Sequence, residues 1–193
     1  MKLPIYLFHR LHQLTGVFGQ QLLSSQCLLC TGPLGDSALP NLCGGCLYDL
    51  PFIDSQQRCK ICGLSLPGSG EHCGQCLHQP PNFSHSHIPF SYQYPLDGII
   101  QGFKYRRHLA SGELLGKLLA DYLEHCHQEN PNWQAPDLII PTPMHWLRRW
   151  KRGFNQADLL AGILAKQLGI PLASKLVRRH KQATSQQGLS RDQ

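Results

Sequence analysis

The sequence predicts an α/β chain in two parts, a small cysteine-rich module near the N-terminus and a larger domain built on a parallel sheet. Two observations carry that prediction. Eight of the nine cysteines fall in four Cys-x-x-Cys pairs between Cys27 and Cys76. Further on, the short apolar run Asp137-Leu138-Ile139-Ile140 leads through a loop into a segment with helical apolar spacing, the strand–loop–helix order of a βα unit. At 193 residues and 41% hydrophobic content the chain can bury a core, and global disorder is excluded.

The pairs are Cys27/Cys30, Cys43/Cys46, Cys59/Cys62 and Cys73/Cys76. A Cys-x-x-Cys turn aims two thiolates at one ion, and two such turns complete the four-sulfur tetrahedron that zinc prefers. Twelve residues separate the first pair from the second and ten separate the third from the fourth, gaps that suit a hairpin closing on itself as a zinc ribbon. Gly44, Gly45, Gly63 and Gly74 stand in or beside the pairs, where tight backbone is required. Disulfides would need an oxidising compartment, a thioredoxin-like motif uses a single pair, and these spacings fit ribbons better than ferredoxins. Two structural zinc ions are therefore expected. Sequential grouping, Cys27, Cys30, Cys43 and Cys46 on one ion and Cys59, Cys62, Cys73 and Cys76 on the other, closes the shorter loops, while an interleaved cross-brace stays open. His72 and His78 are surplus to complete thiolate sets, and Cys126 reads as ordinary packing.

The first 26 residues contain apolar stretches broken by His9, Arg10 and His12, with no small-residue cleavage site, and are expected to form a short leader helix. No apolar run approaches the roughly 18 residues of a membrane span, and the chain is expected in the cytoplasm. Gln79-Pro80-Pro81-Asn82 marks the exit from the metal module. The parts are then a leader at 1–26, a double zinc ribbon at 27–78 and an α/β domain at 83–193.

Within that domain, residues 81–95 alternate and are rich in Ile, Phe and Tyr, which predicts an extended strand or hairpin. Leu114, Leu115, Leu118, Leu119, Tyr122 and Leu123 recur at helical spacing, with Ser111 as the expected N-cap and an end near Asn130-Pro131. Asp137–Ile140, stopped by Pro141 and Pro143, reads as a buried strand. A long loop follows, then a helix carrying Ala157, Leu159, Leu160, Ile163, Leu164 and Leu168 that stops at Gly169.

Charge is unevenly placed. Residues 1–100 hold 4 Lys/Arg against 5 Asp/Glu, a net −1, and residues 101–193 hold 14 against 7, a net +7. That asymmetry points the second half toward an anionic partner. Arg148, Arg149, Lys151 and Arg152 interleave with Trp146, Trp150 and Phe154 between a strand end and a helix start, where α/β folds bind anions. Lys104, Tyr105, Arg106 and Arg107 repeat the mixture, and cations interleaved with aromatics can hold phosphates while stacking bases. The histidines are too scattered to suggest a catalytic set, and no catalytic residue is assigned.

In order along the chain, the Cys-x-x-Cys pairs, Gly102-Phe103-Lys104-Tyr105, Ile140-Pro141-Thr142-Pro143 and Arg152-Gly153-Phe154-Asn155-Gln156 resemble the ComF/GntX family. Gln182-Ala183-Thr184-Ser185-Gln186 with Leu189-Ser190 is similar to a further family segment. The resemblance implies a double zinc ribbon followed by a type I phosphoribosyltransferase-like, Rossmann-like domain. It implies a competence role in DNA uptake, handling single-stranded DNA beside a helicase. By the same resemblance, Pro141–Gln156 corresponds to the phosphate-meeting loop, with Arg152, Gly153, Asn155 and Gln156 carried over. Family members continue to an acidic pair and a Thr-Thr-Gly-x-Thr-like loop for phosphoribosyl pyrophosphate. Neither occurs in these 193 residues. The expectation is an incomplete domain, truncated before that loop, and no transferase activity from this chain alone; a phosphoribosyltransferase-type enzyme in a longer form is the alternative.

Overall fold

A computed structural model describes residues 26–37, 39–53, 58–68, 70–130 and 134–181. The expected leader helix and the Gln182–Ser190 segment lie outside the described residues. The chain divides into two compact units, the boundary falling between Leu50 and Pro51. One ribbon therefore belongs to each unit.

The two ribbons repeat one backbone design. In the first, Gln26 bridges Pro33, the Cys27 amide donates to Gly32 O at 2.9 Å, and the Thr31 amide turns back to Cys27 O at 2.9 Å. In the second, Arg58 bridges Ser65, the Cys59 amide donates to Leu64 O at 2.8 Å, and the Gly63 amide turns back to Cys59 O at 2.9 Å. Each then tethers its second knuckle, Leu28 N to Asn41 O and Lys60 N to Glu71 O, both at 2.9 Å. Each closes on a short helix, α1 (Gly44–Tyr48) or α2 (Gly74–His78), whose N-cap is a cysteine in extended backbone at φ −78°. Both first knuckles need a left-handed residue, which is Thr31 at φ 58° in one and Gly63 at φ 71° in the other. Only the second demands glycine for space as well, because a Cβ there would stand 2.4 Å from Ile88 Cδ1.

The remaining elements are α3 (Leu96–Tyr105), α4 (Leu109–Glu129), α5 (Trp146–Arg152) and α6 (Gln156–Leu168). Helix α4 is the centre of the second unit. Leu114, Leu118 and Ala120 are buried on it, with Phe103 of α3 and Ala161 of α6 among the core residues. Two glycines one helical turn apart, on the same face of α4, permit the approach of both neighbours. A Cβ on Gly112 would lie 2.4 Å from the Phe103 ring, and one on Gly116 would lie 2.5 Å from Ile163 Cδ1 and 3.1 Å from its Cβ. A polar clasp fixes the α4–α6 register: Lys117 Nζ reaches Asp121 at 3.3 Å and Gln167 Oε1 at 3.1 Å, while Gln167 Nε2 donates to Asp121 Oδ1 at 2.7 Å.

Several sequence expectations need correction. The parallel sheet is represented, among the described residues, by one parallel bridge, Ile139 with Leu172, closed by Ile139 N to Pro171 O at 2.8 Å and Ala173 N to Ile139 O at 2.9 Å. Pro141 and Pro171 lack the amide needed to lengthen such a ladder. Leu138 and Ile140 are exposed, so the run is not the buried strand expected. The strand or hairpin at 81–95 is reduced to the antiparallel pair Phe52–Phe90, with ring centroids 4.8 Å apart, since Pro89 and Pro95 interrupt pairing. Ser111 is not the N-cap. Helix α4 starts earlier, with His108 at the cap position, and Ser111 is buried in the first turn, its Oγ 2.8 Å from His108 Nδ1. Helix α3 precedes it as a separate element, and the expected long loop holds the cationic helix α5, which lacks the apolar period that would have marked it. The α6 helix and its left-handed stop at Gly169 (φ 68°) match the sequence reading.

The glycine contacts can be tested directly. Gly112→Ala should lower the unfolding free energy by about 1–3 kcal/mol, because the rigid Phe103 ring must shift. Gly162→Ala, on α6 with nothing within 4 Å of the new methyl, should be neutral or stabilise by up to about 1 kcal/mol. Urea unfolding of the zinc-loaded protein followed by circular dichroism measures both.

Candidate metal centres and basic surface

The structure selects the sequential grouping. The sulfurs of Cys27, Cys30, Cys43 and Cys46 lie within 4.8 Å of one another, as do those of Cys59, Cys62, Cys73 and Cys76. Across the knuckles, Cys30 Sγ to Cys43 Sγ and Cys62 Sγ to Cys73 Sγ are both 3.7 Å. A tetrahedron with metal–sulfur bonds of about 2.3 Å has edges of about 3.8 Å. A disulfide would bring the sulfurs to about 2.05 Å. The geometry fits two zinc ions, and four thiolates leave no open position for water, so both centres are structural.

Hydrogen bonding and burial split the thiols within each centre. The Cys62 amide is the largest influence on Cys59; with the Cys73 and Ile61 amides it outweighs burial and holds that thiol down at about 6. Burial pushes Cys76 up to about 12, assisted by its bonds to the neighbouring cysteines. In the first centre, burial pushes Cys27 upward but the amides of Cys30, Cys43 and Leu29 overcome it, leaving the thiol at about 6. Burial likewise raises Cys46. One thiol per centre ionises readily and another resists, so four thiolates together require the cation.

The centres differ in shielding. In the second, Cys59, Cys73 and Cys76 are buried and Ile61 and Leu66 pack against them. In the first only Cys27 is buried, and Cys30 is exposed. Cys126, outside both, is hydrogen-bonded with Tyr122, consistent with a packing role.

The two basic clusters, far apart in sequence, meet in the second unit. Arg107, at φ 55° in the turn between α3 and α4, donates from its guanidinium to Lys151 O at 2.7 Å. Gln156 Nε2 reaches Lys104 O at 3.4 Å, and the Arg152 guanidinium sits 5.7 Å from the Tyr105 ring centre. The Phe103 and Phe154 rings meet in a tilted contact, centroids 5.7 Å apart. Lys104, Arg106, Arg107, Arg148, Arg149 and Lys151 are exposed and Arg152 is half-buried. Among the described residues none of them forms an ion pair. Tyr105, Trp146 and Trp150 are 58%, 68% and 79% exposed beside them.

Local structure explains the placement. The last turn of α5 gathers Arg149, Lys151 and Arg152 where carbonyl dipoles favour cations, and Gly153 at φ 85° ends the helix. Asn155 is buried and caps α6, its Oδ1 accepting from Ala157 N at 3.3 Å while Nδ2 donates to Thr142 O at 3.1 Å. Asn155 thus joins the Pro-rich turn to the helix, and Gln156 bonds Arg152 at 3.3 Å. Sequence reasoning did not single out Asp158, nor the cations Lys175, Arg178 and Arg179, which line a cavity with Arg149. Only the basic run at 175–181 could have signalled them.

Two tetrahedral thiol centres on repeated knuckle turns define a double zinc ribbon protein, and a family model described as "Double zinc ribbon domain" matches residues 18–77. The chain is 37% identical over 170 residues to Competence protein F of Haemophilus influenzae, which covers 86% of this chain and 70% of that protein. It is 34% identical over 132 residues to DNA utilization protein YhgH of Shigella flexneri, covering 68% of this chain and 58% of the relative. With YhgH of Salmonella typhimurium the identity is 31% over 167 residues, 85% of this chain and 70% of the relative. No solved structure matches. The chain belongs to the ComF family, and it spans 58 to 70% of the length of these curated relatives.

Two predictions follow from the centres. A chromophoric chelator should remove zinc in two phases, the faster from the first centre; Cys30→Ser should abolish the fast phase, and Cys62→Ser the slow one. At the second centre zinc must expel the Cys76 proton throughout the neutral range, so affinity rises with pH. Below about 6 the Cys59 proton must leave as well, and the dependence on pH steepens by one further proton per ion. Calorimetric zinc titrations in buffers of different ionisation enthalpy count those protons.

Proposed function

We propose that this chain is a competence-type accessory protein of DNA uptake whose second unit holds single-stranded DNA on the joined basic surface. The observation that carries the reading is the convergence of Lys104–Arg107 with Arg148–Arg152 around three exposed aromatic rings, free of ion pairs among the described residues. Phosphates would meet Lys104, Arg106, Arg107, Arg148, Arg149, Lys151 and Arg152, while bases stack on Tyr105, Trp146 and Trp150. Gly153, Asn155 and Gln156 shape that surface, Gly153 by ending α5 and the two amides through their bonds to Thr142 and Lys104. The names of the relatives, Competence protein F and DNA utilization protein, point the same way.

The reading extends to a cytoplasmic setting, which the reduced thiols of a zinc protein favour, and to a helicase as partner. No helix among the described residues is long and apolar enough to cross a membrane. We also read residues 83–193 as the opening portion of a phosphoribosyltransferase-like domain. The parallel Ile139–Leu172 bridge, with α6 between its two partners in sequence, supports that reading. The acidic pair and Thr-Thr-Gly loop are absent from these residues, so the transferase alternative attaches to a longer form alone.

Fluorescence anisotropy with a labelled single-stranded oligonucleotide tests the surface. Replacing Arg148, Arg149, Lys151 and Arg152 with Ala should weaken binding at least tenfold and flatten its log–log salt dependence by about 0.7 per lost phosphate contact. Affinity and salt slope unchanged by those substitutions would remove the surface from the reading.

A further inference from the structure

Beside the basic surface the second unit contains a cavity of about 380 Å³, and the proposed function uses none of its walls beyond Trp146 and Arg149. Its walls come from four places, one of them the turn at Pro143 and Met144. Helix α5 contributes Trp146 and Arg149, the first turn of α6 contributes Asp158, and the segment beyond the Leu172 bridge contributes Lys175, Arg178, Arg179 and His180. The charge is lopsided, since residues 141–181 hold nine Lys/Arg and Asp158 as their sole acid. Asp158 lines the same cavity, and its carboxylate has no hydrogen-bond partner among the described residues, its Oδ1 being fully buried. A donor on an occupant would therefore meet the other carboxylate oxygen, Oδ2, since Oδ1 is out of its reach. The site therefore calls for a molecule with concentrated negative charge, a hydrogen-bond donor, and a flat face for the exposed Trp146 ring.

One nucleotide meets all three requirements. The volume is at the low end of small-molecule pockets, enough for one such unit and too little for a run of them. An internal phosphodiester carries one negative charge, whereas a terminal phosphate monoester carries nearly two at neutral pH and pairs better with clustered guanidinium groups. Trp146 and Arg149 belong both to the cavity and to the outer surface, so a strand lying on that surface has a continuous route inward.

We propose that the cavity captures the phosphate-bearing terminal nucleotide of a single strand, the phosphate held by Arg149, Arg178 and Arg179, the base stacked on Trp146 and a base amino or sugar hydroxyl group donating to Asp158. This rests on the single-strand reading above and adds to it recognition of an end. The zinc-loaded full chain is titrated by anisotropy into a twelve-nucleotide single strand in four forms: phosphate or hydroxyl at the 5′ end with the label at 3′, and the same pair with the ends exchanged. A terminal phosphate at one end should tighten binding at least fivefold, and that preference should vanish in Arg178→Ala/Arg179→Ala. A deoxynucleoside monophosphate should compete with the phosphorylated strand, bringing its affinity to that of the hydroxyl form; competition by inorganic phosphate alone to the same extent would show that no base is read and would overturn the nucleotide assignment. Equal binding of all four strands, or a preference that survives the double substitution, overturns the inference while leaving the surface reading intact. Failure of every form to bind overturns both. Circular dichroism of the double variant, compared with the parent, separates a lost contact from a lost fold.

Discussion

The close approach of α4 to its two neighbours is the constraint on which the second unit depends. Glycine at 112 and 116 removes the methyl groups that would strike Phe103 and Ile163, so α3 and α6 pack against successive turns of one helix face. That approach brings the end of α3 beside the start of α6. The turn after α3 carries one basic cluster, and the short helix before α6 carries the other. The Arg107–Lys151 and Gln156–Lys104 contacts are therefore the outer expression of a core packing decision. Electrostatics alone would drive two such clusters apart, and the buried apolar contacts of α4 hold them together.

The ribbons rest on different physics. Neither has much apolar material: the first unit buries Leu39, Leu42 and Leu50, and in the second ribbon Ile61 and Leu66 pack against the cysteines. Metal coordination is then the main source of order, and a backbone turn that presents amides to sulfur is repeated almost bond for bond. Repetition of the turn does not extend to its surroundings. Ile88 presses onto the second knuckle at Gly63, while the first bears Thr31 and leaves Cys30 open to solvent. Equivalent coordination in unequal shelter is what gives the two ions different accessibility.

The basic surface and the adjoining cavity share Trp146 and Arg149 but differ in kind. The surface is open and lined by cations and rings, suited to a backbone passing over it. The cavity is a half-open recess, adds Asp158 to its lining, and suits a single unit. Helix α5 stands between them, with its cations in the last turn and its two exposed tryptophans toward either end.

The amino-acid sequence alone determined the chemistry that is local. Four Cys-x-x-Cys pairs specify their ion because a knuckle is a four-residue event, and α6 with its Gly169 stop is legible because its apolar period and its left-handed cap lie within one segment. The grouping of thiols, preferred but open on loop length, was settled by sulfur positions. Other features were decided by tertiary structure. The N-terminus of α4 moved from Ser111 to His108 because that serine is buried against its neighbour, which no propensity records. The expected sheet came down to a single parallel bridge among the described residues, since prolines flank both strands and pairing depends on partners distant in sequence. Helix α5 was hidden because its residues are cationic and carry no apolar period. The meeting of residues 104–107 with 148–152, and the placing of Asp158 among Lys175, Arg178 and Arg179, follow from helix packing through space, which spacing along the chain does not encode.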